Sequence, residues 1–279
     1  MSSLLSNGRA ASVVSALALV TAAASSLPAH ADVLFNNGSA STGPVTANGT
    51  VAPGGTSWSE SSGGTIGWSN STNSSGNRFT LADDFTVAAG TSWSISSINV
   101  FAYVTDVGID SSPITGVSLR IWSGTPGAGG ASVIWGDLTT NLMTSSTFAN
   151  IYRSELNFPD LQRPLWDQSV ATNGLVLGQG TYWVEWLTTT RSTSVRAFGV
   201  PVHVDGLTAA PGANGMQSSY AAATGVTTWS QAIDSGVQQV QDIPFVISGS
   251  VSAVPEPATA ALWMLGVGAL VTAARRRPT

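Results

Sequence analysis

The sequence predicts an all-β protein with a jelly-roll-like β-sandwich, and three observations favour this class. Apolar residues recur at every second position in several segments after residue 78. Turn sequences rich in glycine and proline, such as GTPGAGG and APGANG, separate those segments. Between residues 32 and 254 no stretch has the periodicity of a long amphipathic helix. Many short strands with such turns are typical of two packed sheets.

The strand pattern is clearest in FTLADDFTV, where Phe79, Leu81, Phe85 and Val87 share one face that Asp83 interrupts. The same alternation is present in residues 92–106, 117–122, 181–190 and 243–251. We therefore assign the β-sandwich domain to residues 78–253.

Residues 32–77 form a segment rich in serine, glycine and asparagine. Val33-Leu34-Phe35 predicts a first strand, and the remainder predicts long loops with one or two short strands, or partial disorder.

Charge and cysteine content exclude several classes of function. Charged residues make up only 9% of the chain, and all ten basic residues are arginine. Between Asp32 and Glu256, six arginines accompany fifteen acidic residues, a formal charge of −9 (6 minus 15). An acidic body argues against nucleic acid and anionic lipid as partners. The absence of cysteine excludes disulfides and thiolate-ligated metals.

The N-terminus has the pattern of a secretory signal peptide. Arg9 precedes an apolar stretch at residues 10–24, and Ala29-His30-Ala31 is a small-x-small cleavage pattern. We therefore expect residues 1–31 to be a helical signal peptide that signal peptidase removes after Ala31. The alternative is a permanent membrane anchor, for which the apolar stretch is short.

The C-terminus predicts a single transmembrane helix. Residues 258–274 carry no charge, and as a helix they would span about 25 Å, near the lower limit for a bilayer. Arg275, Arg276 and Arg277 follow directly, and such a basic stop is retained in the cytoplasm, which places the body outside. The alternative is a buried core helix, but this helix has no polar face and ends at three arginines.

Three features in order, Val254-Pro255-Glu256-Pro257, the apolar stretch and the arginines, resemble the PEP-CTERM sorting signal of Gram-negative bacteria. The resemblance covers residues 254–279. It implies recognition by a membrane-embedded exosortase, processing near Pro255-Glu256-Pro257, and release or transfer to the cell surface, often in bacteria that make exopolysaccharide or biofilm. The two prolines favour an extended backbone that a processing enzyme could hold.

The body has a second resemblance. The segments LADDFTV, WSISSINVFAY, VSLRIWSG and IPFVISG are similar to a recurring, uncharacterised β-sandwich domain of secreted bacterial proteins. This resemblance supports the fold and implies no activity.

No catalytic residues are predicted, and we expect a body that is not an enzyme. His203 is the one histidine that follows the signal peptide, which excludes a two-histidine metal site within one chain. No G-x-S-x-G turn accompanies it to suggest a serine hydrolase. A hydrolase with paired carboxylates is a third hypothesis, although the sequence assigns no pair.

Calcium is the one cofactor for which the sequence offers ligands. Acidic loops on secreted β-sandwiches supply oxygen donors, and the candidates are Asp84, Asp106, Asp110 and Asp137. The alternative is that these carboxylates are solvated and cap turns.

Tryptophan suggests a carbohydrate partner. Trp122 lies opposite the face formed by Val117, Leu119 and Ile121, and Trp183 lies on the other face from Tyr182 and Trp186. A tryptophan ring offers a flat apolar surface that suits a sugar. The alternative is that both rings belong to the core.

These observations favour an exported surface or extracellular-matrix protein that is briefly anchored in the membrane. A carbohydrate-binding module of an exopolysaccharide or biofilm matrix is the alternative.

Overall fold

The computed structural model describes residues 31–155, 159–202 and 209–254. Within these ranges the chain forms strands and turns and contains no helix, which confirms the all-β prediction. Apart from Ala31, the predicted signal peptide lies outside the described residues, as does the predicted transmembrane helix at 258–274.

Sixteen strands follow one another along the described chain. The first eight are Asp32–Asn36 (β1), Ser57–Glu60 (β2), Trp68–Ser69 (β3), Arg78–Val87 (β4), Thr91–Val104 (β5), Ile114–Ser123 (β6), Ser132–Gly136 (β7) and Met143–Ser154 (β8). The last eight are Pro164–Leu177 (β9), Gly180–Thr190 (β10), Ala197–Gly199 (β11), Met216–Ala221 (β12), Val226–Gln231 (β13), Ile233–Asp234 (β14), Gln239–Val240 (β15) and Phe245–Ala253 (β16).

Two sheets contain most of these strands. The larger sheet has eight strands in the order β1-β16-β5-β9-β8-β2, with the short β11 bonded to both β3 and β5. The smaller sheet has six, in the order β13-β12-β4-β10-β6-β7, and β14 pairs with β15 in a separate ribbon. Strands β1, β2 and β3 come from the serine-rich segment, so that segment supplies part of the larger sheet.

The main core lies between the two sheets and is built from the alternating apolar residues. Leu81 and Trp186 of the smaller sheet pack in one cluster with Ile98 and Phe245 of the larger sheet. The predicted alternation in β4, β6 and β10 is therefore confirmed on this face. Removing these side chains from water supplies the main favourable free energy of folding.

Arg153 joins the serine-rich segment to the larger sheet. Its side chain is fully buried on β8 and donates hydrogen bonds to the backbone carbonyls of Ser59, Thr65 and Ile66. Burial lowers the pKa of Arg153 to about 10. The guanidinium satisfies loop carbonyls that would otherwise be buried without a partner, so it braces this part of the fold.

The smaller sheet is curled. Trp122 on β6 and Trp229 on β13 have ring centroids 6.2 Å apart, although three strands separate β6 from β13. In a flat sheet four strand spacings would hold their backbones about 19 Å apart. The sheet therefore forms a half-barrel, and its face away from the main core is concave. We call this surface the concave face.

Strand direction gives the sandwich two different ends. One end, which we call the exit end, is formed by the turns 88–90 and 178–179, the loop 124–131 and the strand end 250–254. Val254 is held there, since its N–H donates to the Gly90 carbonyl at 2.8 Å. The loops 105–113 and 191–196 lie at the opposite, far end. The chain thus leaves the body at the exit end.

Candidate functional site

The two candidate tryptophans lie side by side on the concave face. Trp122 and Trp183 are direct cross-strand partners on β6 and β10. Trp183 is only 5% exposed, whereas Trp122 is partly exposed. The structure therefore brings the two predicted residues together, and Trp122 is the one that offers a ring surface to a ligand.

A buried carboxylate lies beneath Trp122. Glu185 is fully buried and accepts a hydrogen bond from the indole N–H of Trp122 at 2.7 Å. The Arg120 guanidinium donates to both of its oxygens, at 2.6 and 3.2 Å, and the Thr80 hydroxyl donates at 2.7 Å. An ionised carboxylate only accepts, so these four donors match its capacity and fix its position.

The ring of Trp122 contacts a cation and a second indole ring. The Arg120 guanidinium carbon lies 4.8 Å from its centroid, and Trp229 meets it at an interplanar angle of 90°. On the same face Arg78 lies 4.8 Å from the ring centroid of Tyr220. The concave face therefore combines partly exposed aromatic rings with guanidinium groups, which can contact an uncharged polar ligand through both stacking and hydrogen bonds.

Sequence reasoning did not select Arg120, Glu185 or Trp229 as site residues. Alternation in β6 and β10 already placed Arg120 on the face of Trp122, and Glu185 on the face of Trp183. That was a usable signal for a charged pair beside the tryptophans. The pairing of β6 with β10 and the approach of Trp229 depend on the tertiary fold, which the local pattern does not contain.

Asp83 is a second buried acid, and it lies among the apolar side chains of β4 that face the core. It accepts hydrogen bonds from the Ile243 N–H at 2.6 Å and from the Asn37 side-chain amide at 2.9 Å. Burial raises the pKa of Asp83 well above its usual value, and the charge of Asp242 raises it further. These contacts join β4 to the chain segments beside β1 and β16, so Asp83 braces the two sheets against each other.

The calcium candidates occupy different parts of the body. Asp84 lies on the concave face opposite Trp183, and Asp106 and Asp110 lie in the far-end loop 105–113. Within the described residues, no three acidic or histidine side chains are placed to hold one metal ion. Calcium binding therefore stays a prediction.

Asp137 follows β7 and caps the turn before β8. One carboxylate oxygen accepts from the backbone N–H groups of Thr139 and Thr140, both at 2.6 Å. These bonds, together with bonds from the two threonine hydroxyls, lower the pKa of Asp137 below its usual value. Its oxygens already have turn-forming partners, as expected of an Asx-type turn.

A cleft of about 360 Å³ lies at the far end, and Val104, Asp106, Arg191 and Phe198 are among its lining residues. A smaller one of about 210 Å³ adjoins it and adds Asp110. Among the arginines that the structure describes, Arg191 has a guanidinium with no hydrogen bond, ion pair or ring contact. The cleft thus presents two carboxylates and a free guanidinium to solvent, and these carboxylates are the pair to test for the hydrolase hypothesis.

Several predicted residues lie outside the described ranges. They are Ala29, His203, Pro255, Glu256, Pro257, Arg275, Arg276 and Arg277. Ala31 and Val254 mark the two limits of the described chain. Over the ranges 31–155, 159–202 and 209–254, we found no helix with the length and apolar character needed to cross a membrane.

Comparison with known proteins identifies one segment of the chain. Residues 253–277 match the family model of the PEP-CTERM protein-sorting motif. This match confirms the resemblance of the C-terminus and supports an exported protein that an exosortase sorts. No curated protein and no solved structure matches the chain.

Proposed function

We propose that the body is a non-enzymatic domain that acts at the cell surface or in the extracellular matrix. The observation that carries this proposal is the sorting motif at residues 253–277, which begins where β16 ends. Signal peptidase and an exosortase are the partners during export through the inner membrane, and residues 258–274 anchor the chain until processing. The buried charged groups Arg153, Asp83 and Glu185 all bind neighbouring parts of the fold, as expected for structural residues.

The sorting step is tested by changing the motif in cells that contain the exosortase. We expect the triple replacement of Pro255, Glu256 and Pro257 by alanine to leave unprocessed protein in the membrane, as seen by its larger mass in fractionated cells. A matched control replaces Ser250 and Ser252 with alanine, just before the motif. Normal processing and surface delivery of the triple variant would contradict the proposal.

A second candidate function is carbohydrate binding on the concave face. The supporting observation is that Trp122 is partly exposed while Glu185 and Arg120 hold its orientation. A ring fixed in advance loses little conformational entropy when a sugar stacks on it. The ligand class that fits is a neutral glycan of a surface or biofilm matrix, because the acidic body repels polyanions.

Glycan-array binding by the Trp122→Ala variant tests this second function. We expect binding to be lost, and the Trp135→Ala variant is the control because Trp135 is half-buried on the adjacent β7 but packs on the main core. Equal binding by wild type and the Trp122→Ala variant would exclude the concave face as the sugar site.

Two weaker alternatives concern the far-end cleft. Calcium binding at Asp106 and Asp110 is tested by calorimetric titration of the protein with Ca²⁺. A secreted hydrolase would lose glycan cleavage in the Asp106→Asn and Asp110→Asn variants.

A further inference from the structure

The exit end of the body has no charged side chain in any of its turns and strand ends. Residues 86–105, 121–136, 168–184 and 243–254 contain no Asp, Glu, Lys, Arg or His. Asp32, which pairs with Gly249 next to this end, is the charged residue at its margin. Solvent-facing loops normally carry charges, so an uncharged end of this extent indicates a surface that contacts a partner less polar than water.

Exposed valines lie at this same end. Val176 is 62% exposed near the end of β9, Val251 is 58% exposed near the end of β16, and Val254 is 50% exposed just after it. Val176 lies on the outer surface of the larger sheet, opposite Ser94. These side chains leave apolar area in water that contact with a less polar surface would remove.

The loops of the far end are charged, so the lack of charge at the exit end does not simply follow from the small number of charged residues in the chain. These two loops carry Asp106, Asp110, Arg191 and Arg196, most of them accessible to solvent. The charges of the body are therefore unevenly distributed, and the uncharged end is the one from which the chain continues to the sorting motif.

The chain between the body and the apolar tail is very short. Val254 is bonded to Gly90, and the uncharged stretch begins at residue 258. Four residue-to-residue steps separate these two points, and a fully extended chain covers at most about 14 Å in that distance. If the tail spans the bilayer, the exit end must lie within that distance of the lipid headgroups.

We propose that the exit end is a membrane-contact surface that rests on zwitterionic lipid headgroups while residues 258–274 are inserted. This inference depends on the proposed membrane insertion of the tail before processing. Zwitterionic lipid is the partner because the turns of the exit end carry no charge, while Asp32 at its margin has one carboxylate and, after cleavage behind Ala31, one α-ammonium, which leaves no net charge to attract an anionic headgroup or a basic protein surface. The contact also places Pro255-Glu256-Pro257 at the membrane surface, where a membrane-embedded processing enzyme can reach it.

Site-specific fluorescence in vesicles tests the contact, and the chain has no cysteine to interfere with labelling. The chain from Asp32 to Thr279, which lacks the predicted signal peptide, is reconstituted in phosphatidylcholine vesicles that contain a headgroup nitroxide lipid. The label is placed on the Val176→Cys variant at the exit end and, as control, on the Ser111→Cys variant at the far end. We expect the nitroxide to quench the label at position 176 and not at position 111.

A second variant separates contact from insertion. Val251→Glu adds a charge to the exit end, so we expect the quenching at position 176 to weaken while the protein still floats with the vesicles, and unchanged quenching would show that the short link to the tail alone holds this end near the lipid. Ile109→Glu is the matched control, since Ile109 is an exposed apolar residue of the far end, and it should leave the quenching unchanged.

Each remaining outcome overturns a defined step. If the protein floats with the vesicles but neither label is quenched, the contact proposal is wrong and the anchoring of the tail stands. Equal quenching at both positions also overturns the contact. If the protein does not float, both the anchoring and the contact are overturned.

Discussion

The two faces of the smaller sheet are both buried, but by different means. Towards the larger sheet, Leu81, Val184 and Trp186 are fully buried in an apolar core. On the concave face, Thr80 and Glu185 of the same two strands are equally buried. Successive residues of one strand are therefore buried on opposite faces of the sheet, one face apolar and the other polar.

The comparison shows that burial arises here from two physical causes. The core face is covered by a second sheet, so its stability comes from removing apolar area from water. The concave face is covered by the curl of its own sheet and by the side chains of Arg120, Trp122 and Trp229. Thr80 and Glu185 tolerate burial there because both have hydrogen-bond partners.

The largest expected effect is on the core face. Trp186→Ala removes a fully buried ring that packs 6.3 Å, centroid to centroid, from Phe245 of the other sheet. We expect the free energy of unfolding to fall by about 3–5 kcal/mol, measured by urea denaturation. A loss below about 1 kcal/mol would mean that the two sheets are not held together through this cluster.

The next effect breaks the charge pair of the concave face. Glu185→Gln leaves Arg120 without its anion and gives the Trp122 and Thr80 donors one acceptor oxygen fewer. Loss of one partner of a buried pair typically destabilises by about 3–5 kcal/mol, and we expect about 2–4 kcal/mol. The lower range follows because the Arg120 side chain is 24% exposed and remains partly hydrated.

The control for this variant is Glu155→Gln at the far end. Glu155 lies 3.7 Å from Arg163 and is 48% exposed, so its loss should change stability by less than about 1 kcal/mol. If Glu185→Gln and Glu155→Gln lower the unfolding free energy equally, the charge pair of the concave face is as hydrated as an ion pair on the protein surface.

The core face could be predicted from the sequence, and the concave face only in part. Period-two alternation put Leu81 and Phe85 on one face of their strand and Trp186 on the face of its strand that carries Tyr182 and Val184, because a strand exposes alternate residues to one side. The same alternation put Glu185 on the opposite face, where a solvent-exposed acid is the ordinary expectation. Its burial results from the curl of the sheet and from Trp229, which lies 44 residues later in the chain.

Other strands gave too little pattern to be recognised. Strands β12 and β13 have the sequences MQSSYA and VTTWSQ, in which half or more of the residues are polar. They lie at the edge of the smaller sheet, so few of their side chains need to be apolar. The pairing of Trp122 with Trp183 could not be predicted either, because register between distant strands depends on long-range contacts.

The pH dependence of stability tests the acid on the core face. Burial, with repulsion from Asp242, raises the folded-state pKa of Asp83 above its usual value of 3.8. A raised folded-state pKa gives stability that is fully present below pH 3.8 and is lost as pH rises through the folded-state pKa. We therefore expect the Asp83→Asn variant to show a smaller fall in unfolding free energy between pH 4 and neutral pH than the wild type.

Urea midpoints measured over that pH range give the comparison. Asp167 and Asp242 also have raised pKa values and remain in both proteins, so only the difference between the two curves reports on Asp83. Parallel curves would show that Asp83 does not titrate differently in the folded and unfolded states.

The smallest effect concerns a single hydroxyl of the concave face. Thr80→Val keeps the volume of the side chain but removes the hydrogen bond to Glu185 and the contact with the Ser218 hydroxyl. We expect a loss of about 1–2 kcal/mol in urea denaturation, because an acceptor on a buried carboxylate is left without its donor. The control is Thr86→Val on the same face of β4, where the hydroxyl is exposed and bonds to Thr181. Thr86→Val should lower the unfolding free energy by less than about 0.5 kcal/mol. Equal losses in the two variants would contradict the view that a buried hydroxyl of this face stabilises the fold more than an exposed one.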